Sequence, residues 1–285
     1  MRNPIRVTIL VENTVNTRGL LAEHGLAFYI EAGPKRILMD AGQTQILSQN
    51  ARKLGVSLET LDAIVLSHGH YDHIGGLKEL LPLASSARVF LHPNALNPKY
   101  TRDKDGTSRA IGMPVEIADA IRNRSSLVTW TTGVTEIHEG VFMTGQIPRT
   151  TPYEDVGGRF FLDDACTRPD PLADDQALFI ESQQGINVLL GCAHAGVVNT
   201  LQYIQQVTKG KPIHTVMGGM HLLAASPDRI AQTIAALRQM GVRRIGPAHC
   251  TGCAATAALW TAFPGKCFSC STGSRITLET DKTES

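Results

Sequence analysis

Residues 68–73 read His-Gly-His-Tyr-Asp-His, which places three imidazoles and a carboxylate in one short stretch. Imidazole nitrogen and carboxylate oxygen are common donors to zinc and related divalent ions. His68 and His70 are two residues apart, so an extended chain points them the same way. Asp72 and His73 follow round a turn that Gly69 permits. One loop can therefore feed two adjacent metal positions, and surface polarity alone rarely concentrates so many donors.

Two metals need further ligands. His194 stands in Gly-Cys-Ala-His, His221 in Gly-Gly-Met-His and His249 in Pro-Ala-His-Cys. Each stands at or just past an apolar run with strand character, with small residues nearby that let backbone approach a metal or substrate. One such histidine alone is readily explained as a hydrogen-bonded core or surface residue. Three in one context make a second donor group. Asp40 closes the run Ile-Leu-Met, where it either caps a strand end or orients a ligand imidazole. Arg149 has the planar fork that suits phosphate or carboxylate, and a solvated surface role is the competing reading.

The elements that must position these residues follow from periodicity. Strands are expected at 5–11, 26–30, 36–39, 63–66, 89–91, 127–130, 141–144, 177–180, 186–190, 213–217 and 275–278, with 244–245 leading into His249. Helices are expected at 44–54, 77–83, 196–207, 227–240 and 254–263. Ser226-Pro227-Asp228 combines an N-cap, a first-turn proline and a first-turn acid. Residues 94–115 are irregular and read as a substrate-facing loop. Strands and helices interleave without a linker, which points to one α/β domain over 1–285.

Composition narrows the function classes. The 285 residues carry a net charge of +1 with no long basic run, which argues against nucleic acid as the main partner. No apolar stretch approaches the roughly 20 residues of a membrane span. The N-terminus makes a poor signal peptide, and the six cysteines do not form a secreted disulfide framework. A cytoplasmic protein acting on a small molecule is expected, with its oligomeric state open.

His-Gly-His-Tyr-Asp-His resembles the HxHxDH signature of the metallo-β-lactamase fold superfamily, and Asp40-Ala-Gly42 resembles its upstream Asp-x-Gly. Residues 20–25, 144–149, 191–194, 218–222 and 247–252 resemble one branch, named 7,8-dihydropterin-6-yl-methyl-4-(β-D-ribofuranosyl)aminobenzene 5′-phosphate synthase. The resemblance covers nearly the whole chain and is weakest over 94–135. It implies a four-layer αββα sandwich. It implies His68, His70, Asp72, His73, His194 and His249 as ligands of two divalent ions, zinc first, with manganese, iron or magnesium as alternatives. His221 would then line the pocket, alongside Asp72 in the chemistry, or act as a further ligand. The implied activity is hydrolysis by a metal-bound hydroxide on a small anionic or phosphorylated substrate. The branch name implies a metal-dependent synthase on a phosphoribosyl substrate instead.

Two features depart from a simple reading. Many binuclear members of the superfamily have a carboxylate that bridges the ions, placed after a strand in the second half. Here the corresponding strand, 186–190, is followed by Gly-Cys-Ala-His. An imidazole cannot bridge as a carboxylate does, so water or hydroxide alone is expected between the ions, with one ion held more weakly. Separately, Cys250, Cys253, Cys267 and Cys270 have the spacing of a zinc ribbon, although Cys250 abuts a ligand and a helix is expected between the pairs. They are read as thiols without a zinc of their own.

Overall fold

The computed structural model describes residues 5–278. In chain order the strands are β1 (Ile5–Val11), β2 (Ala27–Ala32), β3 (Lys35–Met39), β4 (Ala63–Val65), β5 (Arg88–Leu91), β6 (Tyr100–Arg102), β7 (Ser108–Ala110) and β8 (Val128–Trp130). They continue with β9 (Thr135–His138), β10 (Val141–Met143), β11 (Phe160–Phe161), β12 (Ala177–Ser182), β13 (Gly185–Leu190), β14 (Ile213–Gly219), β15 (Arg244–Ala248) and β16 (Arg275–Leu278). The α-helices are α1 (Ile46–Leu54), α2 (Tyr71–Ile74), α3 (Leu77–Leu83), α4 (Val115–Arg122), α5 (Val197–Val207), α6 (Pro227–Gln239) and α7 (Cys253–Ala262).

Two sheets face each other. One has the order β16-β1-β2-β3-β4-β5-β8 and the other β15-β14-β13-β12-β10-β9. Strand alternation explains the layers. In β2, Phe28, Ile30 and Ala32 enter the core between the sheets with Met143, Leu178, Leu189 and Met217, while Ala27 and Tyr29 face the other way. That outer face is covered by Leu47 and Ala51 of α1, Leu77 and Leu80 of α3 and Ile117 and Ile121 of α4. The second sheet repeats the pattern. Phe179, Val188 and Leu190 pack against Val197 and Leu201 of α5, Leu237 of α6 and Leu259 of α7. Both sheets are buried on both faces, so their strands read as nearly continuous apolar runs. The result is the expected αββα sandwich.

The caps read from sequence are present. Ser226 Oγ accepts from Arg229 N at 3.2 Å at the start of α6. Gly55 ends α1 at φ 71°, the left-handed conformation that glycine adopts without a Cβ penalty. The irregular stretch needs correction. It holds β6 and β7, which with β11 form a third, three-stranded sheet, and α4 begins at its end. Residues 100–110 are mostly polar or charged and partly exposed, so no burial pattern marked these strands. No helix among the described residues is long and apolar enough to cross a membrane.

Candidate metal centre

Within each large sheet, neighbouring strands run parallel where the chemistry lies: β3, β4, β5 and β8 in one, β13, β14 and β15 in the other. Their C-terminal ends release Asp40, the 68–73 loop, Cys192 with His194, His221 and His249. The chain turns sharply at these points. Asp40, Ala193, His221 and His249 adopt left-handed φ of 60°, 55°, 48° and 50°. Each such residue costs on the order of 1–3 kcal/mol, and this strain concentrates where function requires it.

The two sheets touch at Gly191. A Cβ there would lie 2.1 Å from Ser67 Oγ and 3.1 Å from Asp40 Oδ2, so only glycine lets the end of β13 close on the loop after β4. His68, His70, Asp72, His73, His194 and His249 are all buried.

Hydrogen bonds fix the imidazole tautomers. Asp40 accepts from His73 Nδ1 at 2.7 Å, so His73 carries its proton on Nδ1. Asp40 also accepts from Ser67 N and Ser67 Oγ, both at 2.7 Å. The Ser67 hydroxyl has then spent its proton and accepts from His68 Nδ1 at 2.9 Å. His194 Nδ1 donates to the Val156 carbonyl at 3.0 Å. His249 Nδ1 donates to Asn13 Oδ1 at 2.9 Å, an oxygen that also accepts from Gly25 N. In these four rings Nε2 is the nitrogen left to face the cluster.

Those nitrogens converge. His73 Nε2 lies 3.2 Å from His249 Nε2 and 3.2 Å from Cys192 Sγ. His68 Nε2 lies 3.0 Å from His70 Nδ1. His194 Nε2 and His70 Nε2 are buried with no hydrogen-bond partner. His70 Nδ1 can donate to His68 Nε2, but the two nitrogens of the His73–His249 contact repel unless a proton or a metal cation stands between them. Asp72 Oδ2 lies 3.3 Å from His249 Nε2, 3.2 Å from His24 Nε2 and 3.8 Å from His73 Nε2.

The electrostatics differ across the cluster. Burial would lower the His73 pKa, but Asp72 and Asp40 override it and push it up to about 9, so without a metal this ring holds a proton that a bound ion would displace. Burial opposes ionisation of Asp72, yet the surrounding imidazoles, His73 foremost, hold its carboxyl well below the usual carboxylate range. Burial drives His68 and His194 well below the ordinary histidine value and His70 to about 3, leaving them neutral, as metal ligands must be. Nitrogen, oxygen and sulfur donors in this mixture suit zinc and its neighbours.

Comparison with known proteins gives the frame. A family profile described as "Metallo-beta-lactamase superfamily" matches residues 21–164. An uncharacterized protein of Methanocaldococcus jannaschii is 32% identical over 247 residues, 86% of this chain and 90% of that one. The chain belongs to the metallo-β-lactamase superfamily. Within that superfamily it is 29% identical over 250 residues to the 7,8-dihydropterin-6-methyl-4-(beta-D-ribofuranosyl)-aminobenzene-5'-phosphate synthase of the same organism, covering 81% of this chain and 82% of that one. A solved structure described as a metal-dependent hydrolase of the beta-lactamase superfamily matches with TM-score 0.82 and 30% identity, over 97% of this chain and 100% of that one.

Set on this metallo-β-lactamase framework, the six residues read as ligands gather in one cluster, and Asp40 orients His73 directly and His68 through Ser67. His221 joins the cluster beside His194, ring centroids 4.2 Å apart, with Nε2 donating to the Gly157 carbonyl at 3.1 Å and Nδ1 unpartnered. Arg149 is placed differently from its sequence reading. Its guanidinium donates to the carbonyls of His194, Pro171 and Leu172, so in this arrangement it holds the turn that carries His194.

Three donors were missed by sequence reasoning: His24, Cys192 and Cys250. Ligand atoms of His24, Asp72 and His249 lie within 4.8 Å of one another, and the same holds for Cys192, His221 and Cys250. Their signal was position: Cys192 stands in the strand-end motif of His194 and Cys250 follows His249. Of the four ribbon-spaced cysteines, only Cys250 joins a metal-ligating group among the described residues; Cys253 is exposed and Cys267 half-buried.

Proposed function

We propose that this chain is a metal-dependent hydrolase that holds two divalent ions and acts on a small anionic or phosphorylated molecule. The observation that carries the reading is the convergence of His73 Nε2 and His249 Nε2, 3.2 Å apart beside Asp72, with both Nδ1 atoms already hydrogen-bonded. His68, His70 and His194 would hold one ion, and Asp72, His73 and His249 the other. Ions bound there polarise a carbonyl or phosphoryl oxygen and lower the pKa of bound water to about 7. Asp40 keeps the His73 and His68 nitrogens aimed. His221, in one donor group with Cys192 and Cys250, would accept and return a proton during turnover. His221 also lines a cavity of about 370 Å³ with Tyr153, Asp155, Gly157, Ser226 and Arg229, a size that admits a small molecule. The net charge of +1 and the six free cysteines support a cytoplasmic enzyme of small molecules and not of nucleic acid.

The relative named as a synthase supports a second reading, in which the same ions serve as Lewis acids in joining a phosphoribosyl substrate to a second molecule. The test is a panel of phosphoesters, lactones and thioesters, with a phosphoribosyl donor and acceptor pair, assayed with zinc- or manganese-loaded protein. Metal-dependent release of phosphate or acid without transfer supports hydrolysis. A condensed product supports the synthase.

A further inference from the structure

Cys192 belongs to more of the candidate donor groups than any residue picked out from the sequence. Its Sγ falls within one donor group with His68 and His194, a second with His73 and His249, and a third with His221 and Cys250, the atoms of each group within 4.8 Å. The side chain is 3% exposed and free of any disulfide. The preceding Gly191 is pressed against Ser67 and Asp40, which fixes the end of β13 and hence the sulfur.

Carboxylates that might span the two ligand sets are engaged elsewhere or stand outside the donor groups. Asp163 accepts from the backbone of Thr167 and Arg168 at the surface. Glu154 accepts from Val198 N and Asn199 N at the start of α5. Asp175 accepts from Ala195 N through Oδ2 and leaves Oδ1 buried without a partner, but it enters none of the donor groups. Asp72 groups with His249 and His24 but not with His68 or His194. Among the described residues, Cys192 alone belongs to both sets.

We propose that Cys192 is the shared ligand, its thiolate bridging an ion held with His68 and His194 to an ion held with His73 and His249. The proposal rests on the two-ion reading above. A thiolate has several lone pairs where a neutral imidazole has one, and the thiol proton passes to solvent when the ions bind. Sulfur at the centre favours zinc or iron over magnesium or manganese. It also replaces the expectation that water alone lies between the ions.

The test is stepwise addition of cobalt(II) to metal-free protein, followed by absorption and electron paramagnetic resonance. The wild type is expected to bind two equivalents, show a near-ultraviolet sulfur-to-cobalt band from the first, and lose spin signal as the second ion couples to it. Cys192→Ser is expected to lose the band and bind the second equivalent at least about tenfold more weakly. Cys192→Asp is expected to regain two ions without the band, and Cys250→Ser to keep it. Two cobalt ions bound to wild type with no sulfur band would overturn the bridge and leave the metal centre standing. A band that survives in Cys192→Ser and vanishes in Cys250→Ser would assign the sulfur ligand to Cys250 and overturn it equally. No bound cobalt in wild type would overturn the two-ion reading and the bridge with it.

Discussion

Asp40 Oδ2 lies 2.7 Å from His73 Nδ1, and both side chains are withdrawn from solvent. The carboxylate engages His73 Nδ1 and so leaves Nε2 as the nitrogen that a metal would take. Through Ser67 the same carboxylate sets the tautomer of His68. One acid thus orients two of the proposed ligands, His73 and His68.

Asp40→Asn is therefore expected to weaken metal binding about 10–100-fold. An amide can donate to His73 Nδ1 and drive the proton onto Nε2, the nitrogen the metal needs. Competition against a chromogenic chelator measures this. Unchanged affinity would show that Asp40 is only a strand-end cap.

His194→Ala and His249→Ala are expected to lose different ions. The His194 variant keeps the ion set by His73 and Asp72; the His249 variant keeps the ion set by His68 and His70. Elemental analysis should give about one equivalent for each single variant and none for the double variant. Full occupancy of the His194 variant would remove that residue from the ligand set.

Behind the ligand loop lies a buried ion group. Lys99 Nζ donates to Asp170 and Asp174, each at 2.8 Å, and Asp174 Oδ2 accepts from Gly69 N at 2.9 Å, between the first two histidines. Burial acts to raise the Asp174 pKa, but Lys99 and the Gly69 amide override it and hold it below the ordinary value. A depressed folded pKa gives stability that is present above the unfolded value and lost as pH falls through the folded one, here below about 4. Lys99→Met should cost about 3–5 kcal/mol near neutral pH by stranding two buried acids. Without Lys99, burial raises the Asp174 pKa and the sign reverses, so the gap between variant and wild type should narrow as pH falls. Urea unfolding at several pH values measures both. A constant gap would mean that Asp174 does not depend on Lys99.

Cys267→Ser with Cys270→Ser is expected to leave metal stoichiometry unchanged, because neither residue joins a metal-ligating group among the described residues. Loss of one equivalent of zinc would reveal a separate structural site.

The fold was legible where burial is two-sided. Runs such as Ala63-Ile64-Val65 and Ile186-Asn187-Val188-Leu189-Leu190 mark strands packed on both faces. The sheet of β6, β7 and β11 was not, because Ser108 and Arg109 are exposed and Tyr100 only half-buried, so no face is written into the sequence. The site was legible where donors cluster along the chain, as at His68 to His73, or recur after strands, as at His194 and His249. It was not legible for Cys192, since a buried cysteine usually behaves as a small apolar residue. Nor was it legible for His24, which approaches Asp72 only through folding, or for Arg149, whose guanidinium is taken by carbonyls that no local pattern announces.

The most direct test of the central claim is anomalous diffraction at the zinc edge from crystals of zinc-loaded protein. Two peaks are expected roughly 3.5–4 Å apart, the span of a two-metal site. One should lie among His68, His70 and His194, the other among Asp72, His73 and His249. A single peak, or peaks away from these residues, would contradict the account.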